Sequence, residues 1–350
     1  MMSKALFEDS PMMKAVRCQP AQSVPVWCMR QAGRYMPEYQ KVRKNHTFSE
    51  LCKNPELAAE VMLTAVKVLG VDAAILFSDI LLLLEPMGLS LDYVPDEGPA
   101  VSPPVREPED VKRIHELESP EQLKYIIDAV RYTREGLAPD IPLIGFTGAP
   151  FTLASYAVEG GGSKNFRQVK AFMHLYPDDW QKLMKMLAVS AARLLNAQID
   201  AGVQIVQIFD SWAGCLSKED YQKFVQPYSK MLIDLIHPGT PIIHFAPGNP
   251  VLLPSVRDAG GHVIGVDWRI SIDAAWNEIG TDYAVQGNLD PAILLTNKEI
   301  IKQHVKHILR ILESRPGFIF NLGHGIMPQT PVENVITMIE TVHEFGQNKR

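Results

Sequence analysis

The chain has 350 residues, 46% of them hydrophobic, and a formal net charge of −6. That length and composition suffice for a large buried core, and they argue against a disordered chain. With 34 Lys and Arg against 40 Asp and Glu, there is no general basic field to attract nucleic acid or an anionic membrane, so we expect neither as a partner. Any anionic ligand must be bound locally.

The beginning of the chain shows no targeting signal. Residues 1–20 contain no long apolar run, and Glu8 and Asp9 argue against an Arg-rich transit peptide. No uncharged apolar run approaches the roughly 18 residues that a membrane helix needs. The cysteines form no C-x-x-C pair and are widely scattered, at Cys18, Cys28, Cys52 and Cys215. We therefore expect a cytoplasmic protein with reduced thiols and no metal site.

Short apolar, β-branched runs alternate along the chain with longer segments of helical periodicity. Eight runs are predicted as strands: Val24–Met29, Ala73–Ser78, Pro142–Thr147, Val203–Phe209, Pro241–Phe245, His262–Val266, Tyr283–Gly287 and Gly317–Leu322. Helices are predicted at Asn54–Leu69, Pro120–Leu137, Asp178–Ala201, Ser217–Ile236, Ile270–Ile279, Asn297–Glu313 and Thr330–Phe345. Between them, the proline-rich stretch from Pro95 to Pro108 is predicted to be a surface excursion.

This alternation predicts the fold class. Apolar strands that alternate with helices are typical of parallel strands covered by helices on both faces. Eight of them in a chain of this length favour an α/β protein with a single (β/α)8 TIM-type barrel. We expect one domain over residues 1–350, with residues 1–23 as an N-terminal extension that packs on or near the barrel. A doubly wound open sheet is the alternative.

Polar residues follow most of the predicted strands. A barrel of this type carries its active-site cleft at the carboxyl ends of its strands. The residues found there are Arg30, Arg34, Asp79, Asp210, Ser211, Asp267, Asn288, Asp290 and His324. The pattern therefore predicts that titratable groups gather at one rim.

Two arginines close to the first predicted strand indicate the kind of ligand. The guanidinium groups of Arg30 and Arg34 present planar forks that pair with carboxylate or phosphate. Gly33 between them allows close approach of a ligand. These residue types favour a flat, multiply anionic ligand. Structural ion pairs with Glu38 or Glu50 are the alternative.

Two long motifs resemble the signatures of the uroporphyrinogen decarboxylase family. They are PVWCMRQAGRYMPEY (residues 25–39) and GFTGAPFTLASYAVEGGGS (Gly145–Ser163), and the segments FSDIL (Phe77–Leu81), FDSWAG (Phe209–Gly214) and NLGHGI (Asn321–Ile326) are also family-like. The resemblance extends from about residue 5 to 345. It implies a distorted (β/α)8 barrel, usually a homodimer, that converts the four acetate side chains of uroporphyrinogen III to methyl groups. The implied products are coproporphyrinogen III and CO2, in heme and chlorophyll synthesis, and neither cofactor nor metal is implied.

The chemistry of such a reaction indicates a role for one acidic residue, Asp79. A pyrrole protonated at a ring carbon can accept the electrons that decarboxylation leaves behind, so the protein must stabilise a cation and donate protons. Asp79 follows an apolar strand, and its carboxylate suits pyrrole N–H groups and a developing positive charge. The resemblance places it at the centre of the macrocycle. For a lone aspartate, a helix cap or an ion pair is the alternative.

The resemblance also implies the other site residues. Arg30 and Arg34 bind substrate carboxylates, and Arg30 is in addition a candidate proton donor, which makes Asp79 and Arg30 the catalytic pair. Gln31 helps to shape the same face. The remaining substrate-binding positions are Tyr156, Ser211 and His324, with His324 as a carboxylate ligand or proton relay.

Two other functions are the alternatives to this one. Methyltransferases on the same barrel hold zinc through a His-x-Cys strand and a distant Cys, whereas this chain has Ala246 two residues after His244, and His324 in the last motif. Because both cysteines are absent, a zinc-thiolate site is disfavoured. A tetrapyrrole carrier without catalysis is the second alternative, and the presence of Asp79 with the full motif set argues against it.

Overall fold

The main sheet of the protein consists of seven parallel strands. The computed structural model describes residues 7–94, 98–312 and 315–347. Within them the strands are β1 (Ala74–Ile75), β2 (Ser90–Val94), β3 (Gly98–Ser102), β4 (Leu143–Gly148), β5 (Ile205–Phe209), β6 (Ile242–Phe245), β7 (Val263–Gly265), β8 (Ala284–Leu289) and β9 (Phe318–Leu322). The strand order in the main sheet is β1-β4-β5-β6-β7-β8-β9, and β2 and β3 form a separate antiparallel hairpin.

Helices occupy most of the connections. They are α1 (Pro11–Val16), α2 (Pro37–Arg43), α3 (Phe48–Lys53), α4 (Pro55–Leu69), α5 (Pro108–Val111), α6 (Lys124–Gly136), α7 (Pro150–Glu159), α8 (Arg167–Leu175), α9 (Pro177–Ala201), α10 (Lys218–Phe224), α11 (Gln226–Asp234), α12 (Leu253–Ala259), α13 (Ile272–Ile279), α14 (Lys298–Ile311) and α15 (Val332–Phe345). Short 3₁₀ turns lie at Ile80–Leu84, Pro120–Leu123, Ala213–Cys215, Pro250–Leu252 and Pro291–Leu295. No helix in these described ranges is long and apolar enough to cross a membrane.

The α/β class and the parallel sheet are confirmed, but the first predicted strand does not form a continuous strand. Seven of the eight apolar runs form strands, with ends within three residues of the predicted ones. Residues 24–29 make only a single parallel bridge, between Val26 and Phe320 of β9. Pro25 has no N–H to donate, and the N–H of Val26 donates to the carboxylate of Asp72 at 2.7 Å instead of to a neighbouring strand. The hydrogen-bonded sheet therefore has seven strands, one fewer than the predicted barrel.

Several connections also differ from the predicted elements. The helix predicted over 217–236 is interrupted at Val225, because Pro227 cannot donate within a continuous helix. Helices α7 and α8 were not predicted. The proline-rich stretch predicted as a surface excursion contributes β3, which pairs with β2, while its residues 95–97 lie outside the described part. So do Glu313, the predicted end of α14, and residues 1–6 of the predicted extension.

Local signals explain how the chain reaches the end of β1. The side chain of Asn54 accepts the N–H of Leu57 at the start of α4, and Pro55 occupies its first turn. The helix ends at Gly70, whose φ of 69° is in the left-handed region. A short loop then leads into β1, and the chain leaves the strand towards Asp79.

All strands of the main sheet run in the same direction, so their carboxyl ends meet at one edge. In β4 and β8 every residue is buried, as expected for parallel strands covered on both faces. The residues that follow β1, β4, β5, β7, β8 and β9 are therefore brought to a common rim. The candidate site lies there.

Asp72 connects three separate parts of the fold. Its carboxylate accepts the N–H of Val26 at 2.7 Å and lies 3.0 Å from Nε2 of His343 in α15. Its own N–H donates to the carbonyl of Val26 at 2.8 Å. The hydrogen bond to Asp72 raises the pKa of His343. Protonated His343 thus stabilises the fold below its unfolded pKa of about 6.5, and this contribution is lost as the pH rises through the raised folded pKa.

The first prediction concerns this pair. We expect His343→Gln to lower the free energy of unfolding at pH 5.5 by about 1 kcal/mol or less, because both partners are partly exposed. At pH 9 the variant should match the wild type. Chemical denaturation at both pH values measures the difference, with His304→Gln on the exposed side of α14 as the control. An equal loss at both pH values would contradict a charge-dependent pair.

Candidate active site at the carboxyl ends of the strands

Asp79 lies just beyond β1 and is partly exposed. One carboxylate oxygen accepts the N–H of Leu81 at 2.8 Å and so caps the 3₁₀ turn that follows. Burial raises the pKa of Asp79, while the N–H of Leu81, the hydroxyl of Tyr93 and the charge of Arg30 act in the opposite direction. The helix-cap alternative is therefore correct for one carboxylate oxygen of Asp79. The opposing groups favour the ionised form against the cost of burial.

Tyr93 is a site neighbour that the sequence did not indicate. The hairpin of β2 and β3 carries it, and its ring packs edge-on against Phe48 with centroids 4.8 Å apart. Its hydroxyl is buried beside Asp79, without a hydrogen bond of normal geometry to any described residue. Burial, followed by the charge of Asp79, raises the pKa of Tyr93 far above its ordinary value. Tyr93 is therefore a neutral phenol that faces a carboxylate.

Arg30 is held in an unusual backbone conformation. Its φ is 62°, in the left-handed region that residues other than glycine rarely adopt. The chain beside it is fixed by a hydrogen bond from the N–H of Ile326 to the carbonyl of Met29 at 3.0 Å. Gly325 packs so closely that a Cβ there would lie 2.5 Å from Cδ of Arg30. Arg30 is thus set against the loop that follows β9.

His324 lies in that loop and is partly buried. Burial lowers its pKa, and the positive charges of Arg30 and Arg269 lower it further, while Asp267 opposes them. The imidazole is therefore neutral at pH 7 in the free protein, since its ordinary pKa is about 6.5. Both arginines are thus close enough to His324 to act on its charge.

Tyr156 lies on α7. Its ring centroid is 5.8 Å from that of Trp212. Burial raises the pKa of Tyr156 to about 12, with a further contribution from the charge of Asp79, and Arg30 acts against it. The structure therefore brings together four residues that the sequence predicted for the site, Asp79, Arg30, Tyr156 and His324.

A buried carboxyl connects α7 to the turn that contains Ser211. The hydroxyl of Thr152 donates to Asp210 at 3.0 Å and accepts the N–H of Trp212 at 3.3 Å. Asp210 is fully buried, and burial raises its pKa to about 7. Ser211, partly exposed, lies between Asp210 and Trp212. The spacing of Tyr156 and Ser211 thus depends on Thr152, a buried threonine of the second sequence motif to which the sequence analysis assigned no role.

Gln31 points into the protein, away from this group. It is fully buried. Its Oε1 accepts the N–H of Cys28 at 3.2 Å, and its Nε2 donates to the carbonyl of Ala73 at 3.2 Å. These bonds tie the turn before Arg30 to the start of β1. Gln31 therefore holds the backbone beneath the site.

Arg34 is exposed, four residues after Arg30. In the described ranges neither Arg30 nor Arg34 forms a salt bridge, so the alternative of structural ion pairs with Glu38 or Glu50 finds no support. An exposed guanidinium without a fixed partner can bind an incoming anion. The role of Arg34 as a carboxylate ligand stays a prediction.

The residues of the zinc alternative do not form a metal centre. His244 is buried, with Nδ1 3.3 Å from the carbonyl of Gly260, and burial lowers its pKa to about 4. Among the residues that the structure describes, no group of three or more His, Cys, Asp or Glu is arranged to hold a metal ion. A reaction without cofactor or metal stays a prediction.

Comparison with known proteins gives consistent matches over the whole chain. The family model described as uroporphyrinogen decarboxylase (URO-D) matches residues 7–345. The uroporphyrinogen decarboxylase of Carboxydothermus hydrogenoformans is 53% identical over 335 residues, which cover 95% of this chain and 96% of that protein. The uroporphyrinogen decarboxylase of Geobacter metallireducens is 52% identical over 94% of this chain and 96% of its own length.

Solved structures match in fold. A methyltransferase from Methanosarcina mazei has a TM-score of 0.79 at 22% identity and covers 97% of this chain and 98% of its own. A putative vitamin-B12 independent methionine synthase from Listeria monocytogenes has a TM-score of 0.57 at 12% identity, over 93% of this chain and 96% of its own. Identities this low establish the shared fold alone.

The second prediction tests the contact between Arg30 and the β9 loop. In Gly325→Ala, we expect the new methyl group to push the exposed Arg30 side chain away and the pKa of His324 to rise, because one of its two cationic neighbours has moved. NMR titration of the histidine Cε1–H signals measures this. Gly162→Ala is the matched control, since a Cβ there meets nothing within 4 Å. An unchanged His324 titration would show that Arg30 does not act on it.

Proposed function

We propose, because the chain belongs to the uroporphyrinogen decarboxylase family, that it is a carboxy-lyase for uroporphyrinogen III. It converts the four acetate side chains to methyl groups and releases coproporphyrinogen III and CO2, as a step of heme biosynthesis. The observation that carries the proposal is the grouping of Asp79, Tyr156 and His324 near Arg30, whose charge shifts the pKa of each of them. The group provides one carboxylate that can accept hydrogen bonds from pyrrole N–H groups. It also provides charged and neutral hydrogen-bond donors for the carboxylates of the substrate.

The substrate itself supplies the electron sink. Protonation of a pyrrole ring carbon gives an iminium ion. The bond between the acetate methylene and its carboxyl carbon then breaks, CO2 leaves, and the electron pair moves into the iminium. A proton added to the exocyclic carbon completes the methyl group, and loss of the proton first added to the ring carbon restores the pyrrole. The protein therefore has to position the ring, stabilise the cation and supply protons.

Asp79 performs the second of these tasks in this proposal. Its free oxygen accepts pyrrole N–H groups, and its negative charge offsets the cation. The N–H of Leu81, the hydroxyl of Tyr93 and Arg30 all favour the carboxylate form that this role needs, although burial raises the pKa. Turnover should accordingly be lost as the pH falls through that raised pKa.

Basic and neutral donors surround the carboxylates of the substrate. Arg30 and Arg34 bind them through charged hydrogen bonds, and Arg30, whose charge acts on Asp79, is also the candidate proton donor. Neutral His324 can donate one hydrogen bond, and an adjacent substrate carboxylate would favour its protonated form. Either form suits a role as a carboxylate ligand or as a proton relay. Tyr156 stays a phenol and donates from α7.

The remaining site residues support this arrangement. Ser211 offers a hydroxyl from the turn after β5. Gln31 shapes the substrate face indirectly, because its amide fixes the turn from which Arg30 projects. Both roles follow from the family resemblance, and the local hydrogen bonds are compatible with them.

We also propose that the sheet is completed to a (β/α)8 barrel by residues 24–29. The N–H of Trp27 donates to Phe320 at 3.3 Å on one side, and the N–H of Asp72 donates to Val26 at 2.8 Å on the other. These bonds support an irregular eighth strand between β9 and β1. Together with a family match over residues 7–345, they support one domain over the whole chain.

Two expectations from the sequence remain part of the proposal. The family resemblance implies a homodimer, and we propose that it works in the cytoplasm. Light scattering on the purified protein measures its mass in solution. Fractionation of expressing cells tests the location.

One experiment tests the activity. Purified protein is incubated anaerobically with uroporphyrinogen III, with and without a chelator, and the products are oxidised and separated by carboxyl number. Porphyrins with seven, six, five and four carboxyl groups in both samples are the expected result. Loss of turnover with chelator would indicate a metal-dependent reaction, and unchanged substrate from folded protein would contradict the proposal.

The third prediction concerns Asp79→Asn. Asparagine caps a helical turn as well as aspartate does, so the melting temperature should stay close to the wild-type value. Turnover should fall about 100- to 1,000-fold, because the neutral amide does not stabilise the developing cation. Single-turnover rates measure this, with Asp92→Asn, a change at an exposed residue of β2, as the control. Full activity in Asp79→Asn would overturn the assigned role.

The fourth prediction concerns Arg34→Ala. Arg34 is exposed and forms no salt bridge with a described residue, so its removal should leave the melting temperature unchanged. KM should rise about tenfold, since one charged hydrogen bond to the substrate is lost. Arg310→Ala, a change at an exposed arginine of α14, is the control. A drop in stability with an unchanged KM would assign Arg34 a structural role.

A further inference from the structure

We propose that Arg269 binds a carboxylate of the substrate as a third guanidinium of the cleft. The sequence motifs did not point to this residue. The inference rests on the proposed function, since it concerns the ligand of the same site. It follows from how Arg269 is held, which of its donors are unused, and where it lies relative to His324.

A buried carboxylate holds the Arg269 side chain in place. Oδ2 of Asp267 lies 2.5 Å from Nη1 of Arg269 and also accepts the N–H of Gly248 at 2.6 Å. Oδ1 of Asp267 accepts the backbone N–H of Arg269 at 2.9 Å. The Asp267 side chain is 3% exposed, whereas that of Arg269 is 47% exposed. One end of the guanidinium is therefore fixed and the other faces solvent.

The outer donors of this guanidinium are unused. Among the described residues, Nη1 is the side-chain atom of Arg269 with a hydrogen-bond partner. The group also packs over the ring of Trp268, with Cζ 4.6 Å from a ring centroid. An ion pair beneath and an aromatic ring alongside restrict its rotation. Nε and Nη2 are thus preorganised donors, which is the arrangement that binds planar anions well.

Two glycines place this guanidinium beside the cleft. A Cβ at Gly323 would lie 2.7 Å from Trp268 and 2.9 Å from Cα of Asp267, so the β9 loop packs directly on the segment that carries Arg269. On the other side, Gly325 packs on Arg30. His324 lies between the two contacts, and both arginines lower its pKa. Arg30, His324 and Arg269 therefore follow one another along the rim.

This row suits a macrocycle with carboxylates around its edge. Such a ligand needs donors at several points of the rim as well as at Arg30 and Arg34. Asp267 offsets much of the net charge of Arg269, so the contribution should come from directed hydrogen bonds. A purely structural role, in which Arg269 only neutralises Asp267, is the competing explanation.

The experiment measures binding separately from turnover. The probe is uroporphyrin III, the oxidised macrocycle with eight carboxylates, and its Kd is determined from fluorescence for the wild type, Arg269→Gln, Arg269→Lys and Arg131→Gln. Arg131 is the matched control, because it pairs with Asp128 and is 53% exposed. We expect Kd to rise about tenfold in Arg269→Gln, less in Arg269→Lys, which keeps the charge without the fork, and not at all in the control.

Kinetics and stability separate the two explanations. With uroporphyrinogen III as substrate, a carboxylate ligand predicts a higher KM with kcat nearly unchanged in Arg269→Gln. A lower melting temperature with wild-type Kd and KM would overturn the inference. If Arg269→Gln does not fold, Arg269→Lys distinguishes the two explanations, because Lys can still pair with Asp267. In that variant a wild-type Kd overturns the proposal, and a raised Kd in folded protein supports it.

The same measurements distinguish a failure of this inference from a failure of the proposed function. Wild-type protein that binds uroporphyrin III in an Arg269-dependent way but does not decarboxylate uroporphyrinogen III would refute the enzymatic proposal alone. Wild-type turnover with no effect of Arg269→Gln on Kd would refute the inference alone. Neither binding nor turnover by the wild type would refute both.

Discussion

The position of Arg30 depends on the hydrogen bonds that hold residues 24–29 between β9 and the start of β1. Asp72 exchanges two hydrogen bonds with Val26, and Val26 pairs with Phe320 on the opposite side. These bonds fix where the segment leaves the sheet. Because Arg30 follows within a few residues, the same bonds decide where its guanidinium enters the cleft, and the left-handed turn at Arg30 adjusts its direction.

The electrostatics of the cleft come from opposing effects on a few groups. Burial raises the pKa of Asp79, and nearby donors and Arg30 reduce that shift. Burial and two arginines lower the pKa of His324. The acid and the base are thus shifted towards each other, which is useful for a site that has to stabilise a cation and move protons near neutral pH.

Small and buried residues set the distances between the functional ones. Gly323 and Gly325 let the β9 loop pack against the segments of Asp267 and Arg30. Thr152 connects α7 to the turn of Ser211 through Asp210 and Trp212. Such residues carry no chemistry themselves. Their contacts nevertheless determine whether donors on separate strands can reach one ligand.

The sequence by itself determined the parallel α/β architecture, because the spacing of apolar residues indicates which positions are buried. It also predicted the rim that carries the candidate site, because polar residues follow most of the predicted strands. Its motifs also indicated Asp79, Arg30, Tyr156 and His324. The strand expected at 24–29 is reduced to a single bridge, since periodicity does not reveal that the N–H of Val26 bonds to Asp72, a side chain distant in the chain. Tyr93 beside Asp79 and Arg269 beside His324 were decided by the tertiary structure alone. Each depends on packing between separate elements of the fold, and local residue patterns carry no record of such contacts.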